Sequence, residues 1–173
     1  HSVVIHSNHV IGDNLWVWRG DHGNGIGWAS NKTQHGMVVN GDDVTMYGLF
    51  VEHFHDYQTV WNGENGAVYF YQSEAPYDVP DQKSWMNGST NGFASYKVGD
   101  QVTRHQAIGM GIYCFFNENP TVKLSSAIEA PAGEHIQFHR MTSVSLGGTG
   151  EITHVLNSAG ETAKPGQEVS RLP

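Results

Sequence analysis

VVNGDDVTMYGLFVEHFHDYQTVWNGENGAVYFYQSEAPYD, residues 38–78, decides how the rest of the chain is read. It breaks into three short strand-like pieces punctuated by Asn40-Gly41 and Asn62-Gly63, dipeptides that supply the positive φ of tight corners. Carboxylates and aromatic rings are dense within it. Together these features predict a sugar-facing surface built on stacked β-rungs.

The same pattern continues outward. Twenty-one glycines, 15% charged residues and no sustained 3.6-residue period argue against helices. Short apolar alternations recur at Leu15 and Val17, Val44 and Met46, Val68 and Phe70, Ile112 and Cys114, Ile136 and Phe138, and Ile152 with Val155. Asn87-Gly88, Asn91-Gly92 and Gly147-Gly148 add turn signals. A hairpin-built sandwich spaces its strands on a beat of roughly 8 to 12 residues, whereas strands and corners here sit in larger, irregular blocks. Such blocks favour a solenoid, in which coils bend through corners and stack face on face. The prediction is an all-β parallel β-helix with a first coil over 3–21, a second and third over 37–74 and a further group over 102–155. Long loop excursions at 23–35 and 75–98 interrupt it.

Length and charge set outer bounds. The 173 residues suit one domain. A net charge of -8 with nine Lys and Arg offers no footprint for nucleic acid or anionic membranes. No apolar run reaches the roughly 18 residues of a membrane span, and the amino end lacks a signal peptide, which fits a mature or processed chain. Cys114, in GIYCFF, reads as a buried core thiol. Asn31-Lys32-Thr33 and Asn87-Gly88-Ser89 are glycan acceptor triplets at Asn31 and Asn87, and they lean toward a secreted, extracellular glycoprotein.

Three phrases, HSNHVIGDNLWVWRGDHGNGIGW (6–28), GMVVNGDDVTMYGLFVEHFHDYQTVWNGENGAVYFYQSEAPYD (36–78) and SLGGTGEITHVLN (145–157), closely resemble the carboxy-terminal coils of large secreted fungal and actinobacterial right-handed parallel β-helix proteins. Those sequences often carry the label adenylyl cyclase, and they are distantly similar to β-helical glucanases and the pectate-lyase superfamily. The resemblance covers roughly residues 4–160. It implies a right-handed parallel β-helix and a carbohydrate-related role, and it brings no catalytic assignment; nothing in this sequence looks like a nucleotide cyclase. Those relatives are much longer, and the chain opens in mid-coil at His1-Ser2-Val3-Val4-Ile5. The expectation is therefore that 1–173 is the carboxy-terminal product of a cleavage. An amino-terminal portion of the same β-helix, as a separate chain, would then cover the exposed rung.

Glycoside hydrolysis calls for two carboxyl groups, about 5 to 5.5 Å apart for retention or about 6.5 to 9.5 Å for inversion. Glu52, in FVEHFHDY, is expected to point outward together with Phe54 while Val51 faces the core. Glu74 and Asp78 end the aromatic run VYFYQSEAPYD where a groove-covering excursion begins. These three are the catalytic candidates. Asp42-Asp43 is the tempting neighbour pair, but its place after Asn40-Gly41 favours a turn role. For stacking and hydrogen bonding to a sugar the candidates are His53, Trp61, Tyr71 and Trp85, from an aromatic supply (Trp16, Trp18, Trp28, Tyr69 and Tyr77 included) larger than a small core needs. His53-Phe54-His55 and His6-Ser7-Asn8-His9 pair imidazoles without the spacing of a structural zinc site, and His1 as a copper-chelating terminus is disfavoured by the β-helix resemblance. No metal and no cofactor are expected. The absence of a G-x-S-x-G elbow, a phosphate loop and a dinucleotide fingerprint removes acyl transfer and nucleotide chemistry.

The leading expectation is a secreted glycoside hydrolase acting on a neutral glucan through paired carboxylates. Scarce basic residues make a uronate lyase less attractive. The alternative is a non-catalytic carbohydrate-binding or assembly module that presents aromatic platforms.

Overall fold

The computed structural model describes residues 1–173. Strands come in pairs, each pair one turn of a coil. They are β1 (Val3–Ile5) and β2 (Ile11–Trp18), β3 (Met37–Val39) and β4 (Thr45–Glu52), and β5 (Thr59–Trp61) and β6 (Gly66–Glu74). After a loop carrying the small hairpin β7 (Met86–Asn87) and β8 (Thr90–Asn91) come β9 (Tyr96–Val98) and β10 (His105–Cys114), then β11 (Lys123–Glu129) and β12 (Ile136–Ser145). β13 (Glu151–Leu156) opens a last turn, and β14 (Val169–Leu172) returns beside β12. The first member of each pair joins a six-stranded sheet in the order β1-β3-β5-β9-β11-β13; the second joins β2-β4-β6-β10-β12-β14. Every neighbouring pair in both sheets is parallel except β12 with β14, which is antiparallel. This is the stacked-coil alternative to the sandwich.

Corners explain why the strands stack in register. Asn40 and Asn62 lie one above the other, with Asn62 Nδ2 donating to Asn40 Oδ1 at 2.9 Å. A Cβ on Gly63 would sit 1.8 Å from the Gly41 carbonyl oxygen, and one on Gly41 would sit 1.9 Å from that of Ser7, so only glycine lets consecutive coils approach here. Asp43 takes a left-handed φ of 56° and accepts from Asn65 Nδ2 at 2.6 Å, which makes Asp42-Asp43 corner residues.

A second recurring bend shapes the larger sheet. Its long strands each contain one residue of positive φ at the same level: Asn14, Gly48, Phe70, Gly109 and Arg140. The bend resets the two-residue alternation, so inward residues fall three apart, as Met46 and Leu49, Val68 and Tyr71, Ala107 and Met110. Simple alternation put Phe54 outward with Glu52. The left-handed φ of 69° at His53 breaks it in the same way, and Phe54 is buried. Met37, Val39, Val51, Trp61, Val68, Tyr96, Ile112, Phe116, Leu124 and Ile152 share one continuous core along the axis, with Cys114 inside it. The coil begins its fourth turn at Tyr96, so the second excursion is shorter than the expected 75–98.

Candidate active site

Glu52 and Glu74 come together because of register. After the bend, Leu49 and Tyr71 are partners, as are Phe50 and Gln72, which places Glu52 and Glu74 on successive rungs of one outward column. Trp18 precedes them in that column as partner of Glu52, and Tyr113 follows as partner of Glu74. Parallel neighbours are about 4.8 Å apart, so two acids in one column are forced into proximity by the backbone.

Their surroundings differ. Trp16 Nε1 donates to Glu52 Oε2 at 2.9 Å and Gln72 Nε2 donates to Oε1 at 3.1 Å, so both oxygens of a nearly buried carboxylate are held. Glu74, whose side chain keeps 21% of its surface, is approached by the His53 ring, with Nε2 3.6 Å from Oε1. Trp16 and Trp18 remain 64% and 45% exposed and stack on one another at 5.8 Å and 14° beside the acids. They form an aromatic wall with free area at the outermost parallel strand.

Behind the acids lies a buried polar cluster. The Asp21 carboxylate is fully enclosed and contacts His53 Nδ1 through Oδ2 and His22 Nδ1 through Oδ1, the latter at 2.8 Å. The buried Arg19 donates through Nε to the His53 carbonyl and through Nη2 to Asp78. Trp18 Nε1 also lies 2.9 Å from His53 Nδ1. One nitrogen cannot accept from the indole while donating to Asp21. Burial alone would lower the His53 pKa, but the hydrogen bond and charge of Glu74, with the charges of Asp21 and Glu52, outweigh it and hold the ring above its ordinary value. The protonated ring carries an N–H on both nitrogens, with Asp21 the partner of Nδ1 and Nε2 turned toward Glu74.

The expected site residues therefore divide. Glu52, Glu74 and His53 meet in one place. Asp78 sits close by, with its charge answered by Arg19. Trp61, Tyr71 and Trp85 are corrected: all three are core residues with at most 1% exposure and have no face to offer a sugar. Tyr71 turns inward because of the bend at Phe70, and its hydroxyl lies 3.0 Å from Thr59 Oγ1 and donates to the Ser95 carbonyl. Trp61 packs on His105, and Trp85 donates to the His55 carbonyl at 2.7 Å. Nor do His53 and His55 act as a pair, since His55 turns its ring to the Trp28 and Thr33 carbonyls. Asn31 and Asn87 direct their amides at the Gly20 carbonyl and the Tyr57 hydroxyl. A separate hollow of about 310 Å³ between the two excursions, lined by Trp28, Lys32, Asp56, Met86 and Phe93, is bordered by neither acid of the pair.

Sequence reasoning missed Trp16, Asp21 and Gln72 as site residues. One signal would have found part of the site: VVNGDDVTMYGLFVE (38–52) and VWNGENGAVYFYQSE (60–74) are a repeat that superposes Asn40 on Asn62, Gly41 on Gly63 and Glu52 on Glu74.

The chain is similar to known proteins in both sequence and fold. Residues 1–74 match the LAM55 pectate lyase-like domain. The chain is 48% identical over 174 residues to an exo-beta-1,3-glucanase of Streptomyces sp. (strain SirexAA-E / ActE), an alignment covering 98% of this chain and 29% of the relative. Among solved structures it superposes on sacteLam55A from Streptomyces sp. SirexAA-E with a TM-score of 0.94 at 46% identity, over 98% of this chain and 31% of that one. A variant of sacteLam55A solved in complex with glucose matches equally well, at 45% identity. The chain thus spans less than a third of the length of these relatives. At this identity the likeness extends beyond fold, and the chain is homologous to part of a glucan hydrolase.

Proposed function

We propose that this chain carries the paired carboxylates of a glycoside hydrolase acting on β-1,3-glucan, within a right-handed parallel β-helix of a secreted protein. The observation that carries the reading is the single column Trp18, Glu52, Glu74, Tyr113, with two acids on adjacent rungs beside exposed indoles. The glucanase relative and the glucose complex of its structural neighbour support the choice of substrate class.

The two acids take different roles by their partners. Glu52, with each oxygen accepting an N–H, is held as an acceptor: it takes a proton from the attacking water or attacks the anomeric carbon itself. Glu74, met by no N–H other than the His53 ring, brings the proton. As the C–O bond breaks, its electron pair goes to the glycosidic oxygen, which takes the Glu74 proton and leaves as an alcohol. Asp78 serves by anchoring Arg19, which fixes the His53 carbonyl. Trp16 and Trp18 offer the ring faces first assigned to the buried residues.

The outermost rung is apolar and open, with Ile11 75% exposed and Leu15 beside it. Further coils of the same β-helix, preceding this chain, are the fitting cover and would add the facing wall of the cleft. Hydrolysis of a soluble β-1,3-glucan by the full-length protein tests the reading. Glu52→Gln and Glu74→Gln should each lower kcat by about 10²- to 10⁴-fold with binding retained. Wild-type binding without turnover would instead establish the non-catalytic module.

A further inference from the structure

The Asp21 and His53 pair is more built than a substrate contact needs. His53 is fixed in left-handed backbone by its N–H to the Glu74 carbonyl at 3.0 Å and by Arg19 on its own carbonyl, a conformation a non-glycine residue keeps only where its surroundings hold it. Its ring stands edge-on to Tyr77 at 5.1 Å and 87° and edge-on to Trp18 at 6.3 Å and 73°, so it has little room to turn. Nδ1 meets the fully enclosed Asp21, whereas Nε2 is buried without a hydrogen-bond partner and aims at Glu74 Oε1.

Resting on the role given to Glu74 above, we propose that Asp21 and His53 form a proton store for the acid. The ring holds a proton at Nε2 against the enclosed Asp21 charge and passes it to Glu74 Oε1, and Glu74 delivers it to the glycosidic oxygen. The balance is simple. Imidazolium and carboxylate become imidazole and carboxylic acid; the acid then protonates the departing oxygen and is left as carboxylate; the proton given up by the attacking water, taken by Glu52 or, after a glycosyl-enzyme, by Glu74, returns through the cleft to the ring before the next turnover. Asp21 and His53 are positioning residues here, acting through Glu74. The charges facing the ring from every side fit this use. Asp21, Glu52 and Glu74 are acidic, Asp78 is answered by Arg19, His22 lies behind Asp21, and the Tyr77 hydroxyl is kept neutral to about pH 12 by burial and by Asp21. The upward shift of the ring accords with this arrangement. Its consequence is that the acid stays loaded until the imidazolium itself is lost, well above the range in which a lone carboxyl ionises.

The test is the pH profile of kcat for β-1,3-glucan in the full-length wild type, His53→Gln and Asp21→Asn, beside an aryl β-glucoside whose activated leaving group needs no proton. The basic limb should move down by about two pH units in His53→Gln, the gap between imidazole and carboxyl reference values. Turnover of glucan at pH 7 should fall about 100-fold, while the aryl glucoside loses less than about 10-fold. Asp21→Asn should move the limb the same way by a smaller step. If a variant does not fold, NMR of the wild-type His53 ring decides: its titration should drop in Glu74→Gln. A limb that stays or moves up, equal losses on both substrates, or a ring indifferent to Glu74→Gln overturns the store. If Glu74→Gln still turns over glucan at the wild-type rate, the role of Glu74 has failed first; if that variant is inactive and only the His53 results are flat, the pair alone is refuted.

Discussion

Burial has taken the His105 imidazole down to a pKa of about 3, in a site where Nε2 meets the Tyr96 hydroxyl at 2.9 Å and Nδ1 has no partner. A base whose folded pKa lies below its unfolded value of about 6.5 binds more protons unfolded. Its contribution is therefore complete above about pH 6.5 and is lost as pH falls toward 3. His35 and His55, also lowered chiefly by burial, act in the same direction, whereas His53, raised, opposes them. Urea unfolding between pH 7 and pH 4 should show a steep loss of stability, up to about 1.4 kcal/mol per pH unit from one such group. His105→Gln should flatten it; an unchanged slope would remove His105 from the account. The buried setting of His105 was not legible, because one histidine in TRHQAIGMG carries no sign of the Trp61, Tyr96 and Phe138 rings that enclose it. Glu52 and Glu74 were legible, since both end strand-like runs rich in aromatic residues. Tyr71 was not, because the one-residue bend at Phe70 reverses its facing and a bulky residue there gives no warning of a left-handed φ.

At the scale of the element, corners and bends do more than close the coil. Each is stacked on its equivalent one turn away, so the cost of a wrong residue is set by the neighbouring turn. Gly63→Ala would drive a methyl into the Gly41 carbonyl, and backbone oxygen cannot swing aside as a side chain can. Chemical denaturation should show a loss of about 3 kcal/mol, the upper range of overpacking. Gly27→Ala, where a methyl would meet nothing closer than Ser30 Oγ at 3.7 Å, should stay within about 0.5 kcal/mol of wild type. Equal effects would mean that the corner spacing relaxes. The Asn-Gly dipeptides made these corners readable in advance. The mid-strand bends were hidden because, although Asn14, Gly48 and Gly109 are residue types that favour a left-handed φ, Phe70 and Arg140 at the same level are not, and none sits in a turn dipeptide.

Across the whole molecule, stability is graded along the axis. β4, β6 and β10 are paired on both sides, whereas β2 is paired with β4 alone and exposes Ile11, Leu15 and Trp16. A stack of nearest-neighbour units opens from its weakest end. In residues 1–173 alone, hydrogen exchange should accordingly be faster in β2 than in β6 and β10, and preceding coils in the full-length protein should slow it; equal protection of β2 in both would contradict the stacking account. Solenoid architecture itself was visible in the block-like spacing of the sequence, while the interleaving of its two sheets required knowing which residues lie level. That levelling restricts how the protein can vary. Between a corner such as Asp43 and the bend at Gly48, adding or removing one amino acid would misalign every later side chain with the turns on either side. Insertions and deletions are tolerable only where the chain leaves the stack, above all in the long loops following Trp18 and Glu74, and a family of such proteins would diversify its substrates by remodelling such loops while the length of each rung stayed constant.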